Sequence, residues 1–135
     1  MDGSNRDTDL SLDLTGLSIL VVEDEPMIAI DTACMIVRAG GTVVGPVHSL
    51  DEAFETIADA RIDGALLDIN LRNQKVFSLA ARLAERDVPI LFMTGEIWPV
   101  IPEQFAGCAR VGKPTSEAKI VAALRQTVAG NRAVA

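Results

Sequence analysis

The chain has 135 residues, of which 49% are hydrophobic, with a mean hydropathy of +0.28 and a formal net charge of -7. That is the size of one domain with a sizeable core, and it excludes global disorder. A pI near 4.6 excludes a basic nucleic-acid-binding surface, and no apolar run is long enough to span a membrane.

Residues 1–16 are polar and acidic and read as a flexible N-terminal tail ahead of a domain over 17–130. They lack the basic-then-apolar order of a signal peptide, so a cytoplasmic location is expected. Ser18–Val22 (SILVV) is a continuous apolar run, the pattern of a strand buried on both faces. Pro26 suits a first helical turn. Met27, Ile30, Cys34 and Val37 follow at helical spacing, which predicts a core-facing stripe with Cys34 buried as a small hydrophobe. Cys34 and Cys108 have no C-x-x-C or Cys/His spacing, so no zinc site is expected. Gly40-Gly41 ends the helix.

Thr42–Val47 reads as a second strand, and Ser49 to Glu52 has capping-box spacing before the helical face Leu50, Ala53, Phe54 and Ile57. Gly64–Ile69 (GALLDI) is the third strand, followed by the helical face Val76, Leu79, Ala80 and Leu83. Pro89–Met93 (PILFM) is the fourth strand and Cys108–Val111 a short fifth. Thr115 or Ser116 can cap a last helix carrying Val121, Leu124 and Val128. Between them, Pro99 and Pro102 fall where a fourth helix belongs. An internal proline costs a helix about 3 kcal/mol, so this fourth helix is expected to be irregular or partly absent. Strand and helix in alternation predict an α/β fold, a doubly wound five-stranded parallel sheet of order 2-1-3-4-5.

Ligands of such sheets sit beyond the carboxyl ends of the strands. The first strand ends in Glu23-Asp24-Glu25, and the third in Asp68 with Asn70 behind it. The fourth ends in Thr94, Gly95 and Glu96, and the fifth near Lys113-Pro114. Taken singly, each is ordinary. Acidic residues favour a helix N-terminus, and Asp68 could be a turn residue. Together they set carboxylates, a hydroxyl and an ammonium on one edge. Crowded carboxylates repel, and a hard cation such as Mg²⁺ relieves the repulsion. Asp68 could then attack phosphorus, with Lys113 and the cation neutralising charge and Thr94 donating a hydrogen bond.

The segments VVEDE (21–25), LLDIN (66–70), MTG (93–95) and GKP (112–114) make the chain resemble the receiver domains of bacterial two-component signalling, over about residues 17–129. The resemblance implies that Asp68 is the phosphoacceptor, Thr94 the switch hydroxyl and Lys113 the phosphate partner. It implies Mg²⁺ bound directly by Asp24 and Asp68, through water by Glu23, and by the backbone carbonyl of Asn70. It implies a cis Lys113-Pro114 bond and phosphorylation by a histidine kinase or phosphotransfer protein. FMTG (92–95), GPVHSLDEA and DINLRNQKVF resemble the single-domain "FAT GUY" subgroup, with Met93 in place of its alanine and Ile97 at its tyrosine. With few residues after Ala129, a stand-alone regulator is expected, signalling to a downstream protein by contact or serving as a phosphate sink or relay. Catalysis is expected only on itself, in phosphorylation and autodephosphorylation.

Receivers commonly carry Tyr or Phe three residues before the lysine; here that position is Arg110. Asn70 and Glu96 match a pair found in chemotaxis-type receivers that dephosphorylate fast, which implies a short-lived phosphoryl group. Three other functions share part of the pattern. A flavodoxin-like cofactor binder would need a phosphate cradle where Glu23-Asp24-Glu25 stands. An aspartyl-phosphate phosphatase would carry its nucleophile after the first strand. A phosphorylation-independent adaptor would have no need of a full residue set.

Overall fold

The computed structural model describes residues 13–113 and 115–134, with side chains of the last helix described through residue 130. Its elements in chain order are β1 (Ser18–Val22), α1 (Pro26–Arg38), β2 (Thr42–Val47), α2 (Leu50–Asp59), β3 (Gly64–Asp68), β4 (Asn70–Leu71), β5 (Gln74–Lys75), α3 (Phe77–Glu85), β6 (Ile90–Thr94), β7 (Ala109–Gly112) and α4 (Glu117–Val134). A single 3-10 turn, Glu103–Phe105, lies between β6 and β7.

Five strands form one parallel sheet in the order β2-β1-β3-β6-β7. Counting these five alone, that is the 2-1-3-4-5 order the alternation predicts. Side chains alternate along each strand. Leu20, Val22, Ala65, Leu67, Ile90 and Phe92 pack under α2 and α3. Ile19, Val21, Leu66, Leu91 and Met93 pack under α1 and α4. The central strands are covered on both faces, which is why their sequences are apolar runs rather than alternations.

Local signals explain the helix ends. Ser49 Oγ accepts from Glu52 N–H at 3.2 Å, while the Glu52 carboxylate accepts from His48 N–H at 2.8 Å. The capping box is thus shifted by one residue on its return bond. Ser116 Oγ accepts from Lys119 N–H at 3.2 Å at the start of α4. Gly40, with φ of 91°, takes the left-handed turn that ends α1.

Two expectations are corrected. Met27 (67% exposed), Ile30 (54%) and Val37 (59%) face solvent, and Cys34 is exposed with them. The buried residues of α1 are Ala29, Thr32 and Ile36, with Ile28 and Met35 partly buried beside them. Helix α1 carries two apolar stripes, and the one flanked by Asp31 and Arg38 is the outer. Leu14 does not belong to a tail. It is fully buried among the α1 and α4 side chains, its N–H bonds to Ala39 O at 2.9 Å, and Asp13 pairs with Arg125 at 3.2 Å. Residues 1–12, like Pro114 and the bond before it, lie outside the described residues. As Pro99 and Pro102 predict, no regular fourth helix forms there, and extended chain and the 3-10 turn take its place. Between β3 and α3, β4 and β5 form an antiparallel hairpin.

Among the described residues, no helix is long and apolar enough to cross a membrane.

Candidate phosphoacceptor site

Strand register brings the site together. β1 lies between β2 and β3, so the chain leaves β1 and β3 on opposite sides and opens a crevice at their carboxyl ends. Asp68 pairs with Met93, one residue before Thr94, and Thr94 pairs with Gly112, one residue before Lys113. Residues far apart in sequence therefore share one edge. The backbone reinforces this, with Lys113 N–H donating to Thr94 O at 2.8 Å and Ile69 N–H to Met93 O at 3.0 Å.

Glu23 is fully buried, and Asp68 and Thr94 are each 3% exposed. Lys113 Nζ lies 2.8 Å from Asp68 Oδ2 and 2.8 Å from Glu23 Oε1. Asn70 N–H donates to Asp68 Oδ1 at 3.2 Å, and Glu25 N–H to Glu23 Oε2 at 2.9 Å. Glu96 N–H donates to Thr94 Oγ at 3.0 Å, which leaves the Thr94 hydroxyl proton free to point elsewhere.

Burial pushes the Glu23 carboxyl up to about 7, against the lowering effect of Lys113 and of the Glu25 N–H, and with Asp68 adding repulsion. Burial also opposes the charge on Lys113, yet its bonds to Asp68 and Glu23 outweigh that and its pKa is raised. One ammonium thus bridges two buried carboxylates. Apart from that ion pair, Glu23 Oε1 has no hydrogen-bond partner among the described residues.

Carboxylate oxygens of Glu23, Asp24 and Asp68 lie within 4.8 Å of one another. This all-oxygen donor set, short of compensating donors, fits a hard divalent cation. Asn70 adjoins the cluster through its N–H. Thus the structure gathers Glu23, Asp24, Asp68, Thr94 and Lys113 into one site, with Asn70 and Glu96 at its mouth.

Some participants carry no signal in the sequence. Arg72 N–H donates to Asp24 Oδ2 at 3.0 Å from the tip of the β4–β5 hairpin, where Arg72 has a φ of 58°. Lys75 Nζ donates to Asn70 Oδ1 from the other arm of the hairpin. His48 Nδ1–H donates to Glu23 O at 2.9 Å, which fixes the ring's tautomer. The hairpin contacts depend on a pairing register that no local motif announces. Arg110, at the usual aromatic position, is exposed on the edge strand β7.

The family model for the response regulator receiver domain matches residues 19–125. The chain belongs to this family. It is 28% identical over 119 residues to the phyllosphere-induced regulator PhyR of Methylorubrum extorquens, covering 82% of this chain and 43% of PhyR. The receiver therefore spans less than half the length of that curated relative. It is 37% identical to SdrG from Sphingomonas melonis Fr1, whose solution structure matches with a TM-score of 0.70 over 83% of this chain and 97% of SdrG. A response regulator protein from Burkholderia pseudomallei, solved with a phosphorylated aspartic acid, a calcium ion and citrate, is 26% identical with a TM-score of 0.68, covering 87% of this chain and 72% of that one.

Proposed function

We propose that this receiver takes a phosphoryl group on Asp68 from a histidine kinase or phosphotransfer protein, and passes the signal on by protein contact or by further phosphotransfer. The observation that carries the reading is Asp68 itself, a carboxylate 3% exposed, facing Lys113 at 2.8 Å and crowded by Glu23 and Asp24. The Burkholderia relative, with its phosphorylated aspartic acid and calcium ion, supports both the chemistry and a divalent cation.

An Asp68 oxygen attacks phosphorus as the P–N bond to the donor imidazole breaks, and the imidazole keeps the electron pair. Lys113 is placed to hold a phosphoryl oxygen, giving up its bond to the attacking carboxylate as negative charge moves outward. Thr94, whose hydroxyl already accepts from Glu96 N–H, has its proton available for a second phosphoryl oxygen. The Asp24 and Asp68 carboxylates, with Glu23 through water and the Asn70 carbonyl, would hold Mg²⁺. Bound there, the cation neutralises charge on the transferring group.

Turning Thr94 and Lys113 toward the phosphoryl group would shift the loop after β6, which carries Ile97 (85% exposed), Trp98 (88%) and Val100 (86%). That loop is the natural contact for a downstream protein.

The test is phosphoryl uptake from a small donor such as acetyl phosphate, with Mg²⁺, read by intact mass and by Trp98 fluorescence. Wild type should gain one phosphoryl group and Asp68→Asn none. An Asp68→Asn protein labelled as readily as wild type would end this assignment.

A further inference from the structure

We infer that Lys75 is a positioning residue that locks Asn70 against Glu96 and so slows loss of the phosphoryl group from Asp68. This rests on the reading of Asp68 as phosphoacceptor and adds a control on the lifetime of its product.

The antiparallel register of the hairpin sets Asn70 opposite Lys75, so both side chains stand on one side of the ribbon. Lys75 Nζ donates to Asn70 Oδ1, and Asn70 Nδ2 donates to Glu96 Oε1 at 3.1 Å. Two members of this row are fastened to the site by their backbone. Asn70 N–H bonds to Asp68 Oδ1 at 3.2 Å and Glu96 N–H to Thr94 Oγ at 3.0 Å. The row Lys75–Asn70–Glu96 therefore crosses the strand-end edge from the hairpin to the loop after β6.

Hydrolysis needs a water aligned on phosphorus opposite the Asp68 oxygen. The water oxygen bonds to phosphorus, the P–O bond to Asp68 breaks, and the electron pair returns to the carboxylate. The acyl phosphate dianion and water become a carboxylate and dihydrogen phosphate. An amide or carboxylate at the mouth can orient that water only if it can turn toward it. Asn70 is held at its oxygen by an ammonium and at its nitrogen by a carboxylate, so its amide plane is set from both ends. Glu96 is held in turn. Without Lys75, Asn70 Oδ1 is released as an acceptor and the pair can reorient.

The experiment compares wild type, Lys75→Met and Lys75→Arg, each alone and with Asn70→Ala. Protein phosphorylated by acetyl phosphate is freed of donor in Mg²⁺ buffer, and first-order loss of the phosphoryl group is followed. Lys75→Met should decay faster by roughly two- to tenfold, the range one net hydrogen bond spans. Lys75→Arg should restore the wild-type rate, and the acceleration should vanish in the Asn70→Ala background. Equal or slower decay in Lys75→Met, or an acceleration that survives Asn70→Ala, overturns the inference. The Asn70 side-chain amide resonances of unphosphorylated protein give a separate reading. They should shift in Lys75→Met and not in Lys75→Arg. An unmoved Asn70 amide in Lys75→Met refutes the brace itself, whereas failure of wild type to take up phosphoryl groups refutes the phosphoacceptor reading.

Discussion

Glu23 is under electrostatic strain. It is fully buried, and its carboxyl is pushed up to about 7 by burial, only partly relieved by Lys113. The unfolded chain would ionise it near 4.5, so between those values the folded protein binds the proton more tightly. Its contribution to stability is therefore greatest below that window, falls as pH rises through it, and is flat above about 7. Cation binding runs the other way, because the cation competes with that proton. Mg²⁺ affinity, measured by calorimetry, should rise with pH up to about 7 and then level, with protons released on binding below that value. In Glu23→Gln the rise through that window should flatten. Of the residues read at the strand ends, Glu23, Asp24, Asp68, Thr94 and Lys113 come together, with Asn70 and Glu96 beside them. The reason is physical: a parallel strand delivers its last residue to one edge whatever the rest of the fold does. Lys75, Arg72 and His48 were not legible, because their roles depend on what lies across a hairpin or beside another strand.

At the scale of elements, the stretch between β6 and β7 is the informative one. Pro99 and Pro102 remove the helix, and the stretch is anchored mainly by Phe105, 4% exposed. Its ring stacks on Phe77 at 6.0 Å between centroids and meets Phe92 edge-on at 5.9 Å. Trp98, by contrast, packs against little. Phe105→Ala should cost roughly 3–5 kcal/mol in urea unfolding, while Trp98→Ala should stay within about 0.5 kcal/mol of wild type. Equal costs would contradict this division between anchor and free surface. Helix α1 shows where periodicity runs out. Met27/Ile30/Cys34/Val37 and Ile28/Thr32/Met35/Ile36 both satisfy helical spacing, and only packing on the sheet chooses between them. Asp31 and Arg38, flanking the outer stripe, were the signal for the right choice.

At the scale of the whole molecule, Leu14 fills the space beside Ala39 and Ile36 on the α1–α4 face and ties the segment before β1 to the core. Leu14→Ala should cost roughly 2–5 kcal/mol by the same unfolding assay. A negligible cost would show that Leu14 contributes nothing to the core. The sequence by itself determined the α/β class, the strand order and the residues at each strand end. Those follow from local periodicity, helix caps and prolines, and from the right-handed crossover that winding imposes. Tertiary structure alone decided which stripe of α1 is buried, that Leu14 joins the core, and that a hairpin reaches back over the site. It also set one ammonium, that of Lys113, between the two buried carboxylates of Glu23 and Asp68. These depend on which surfaces meet, and the free energy of burial belongs to pairs of surfaces rather than to any one segment.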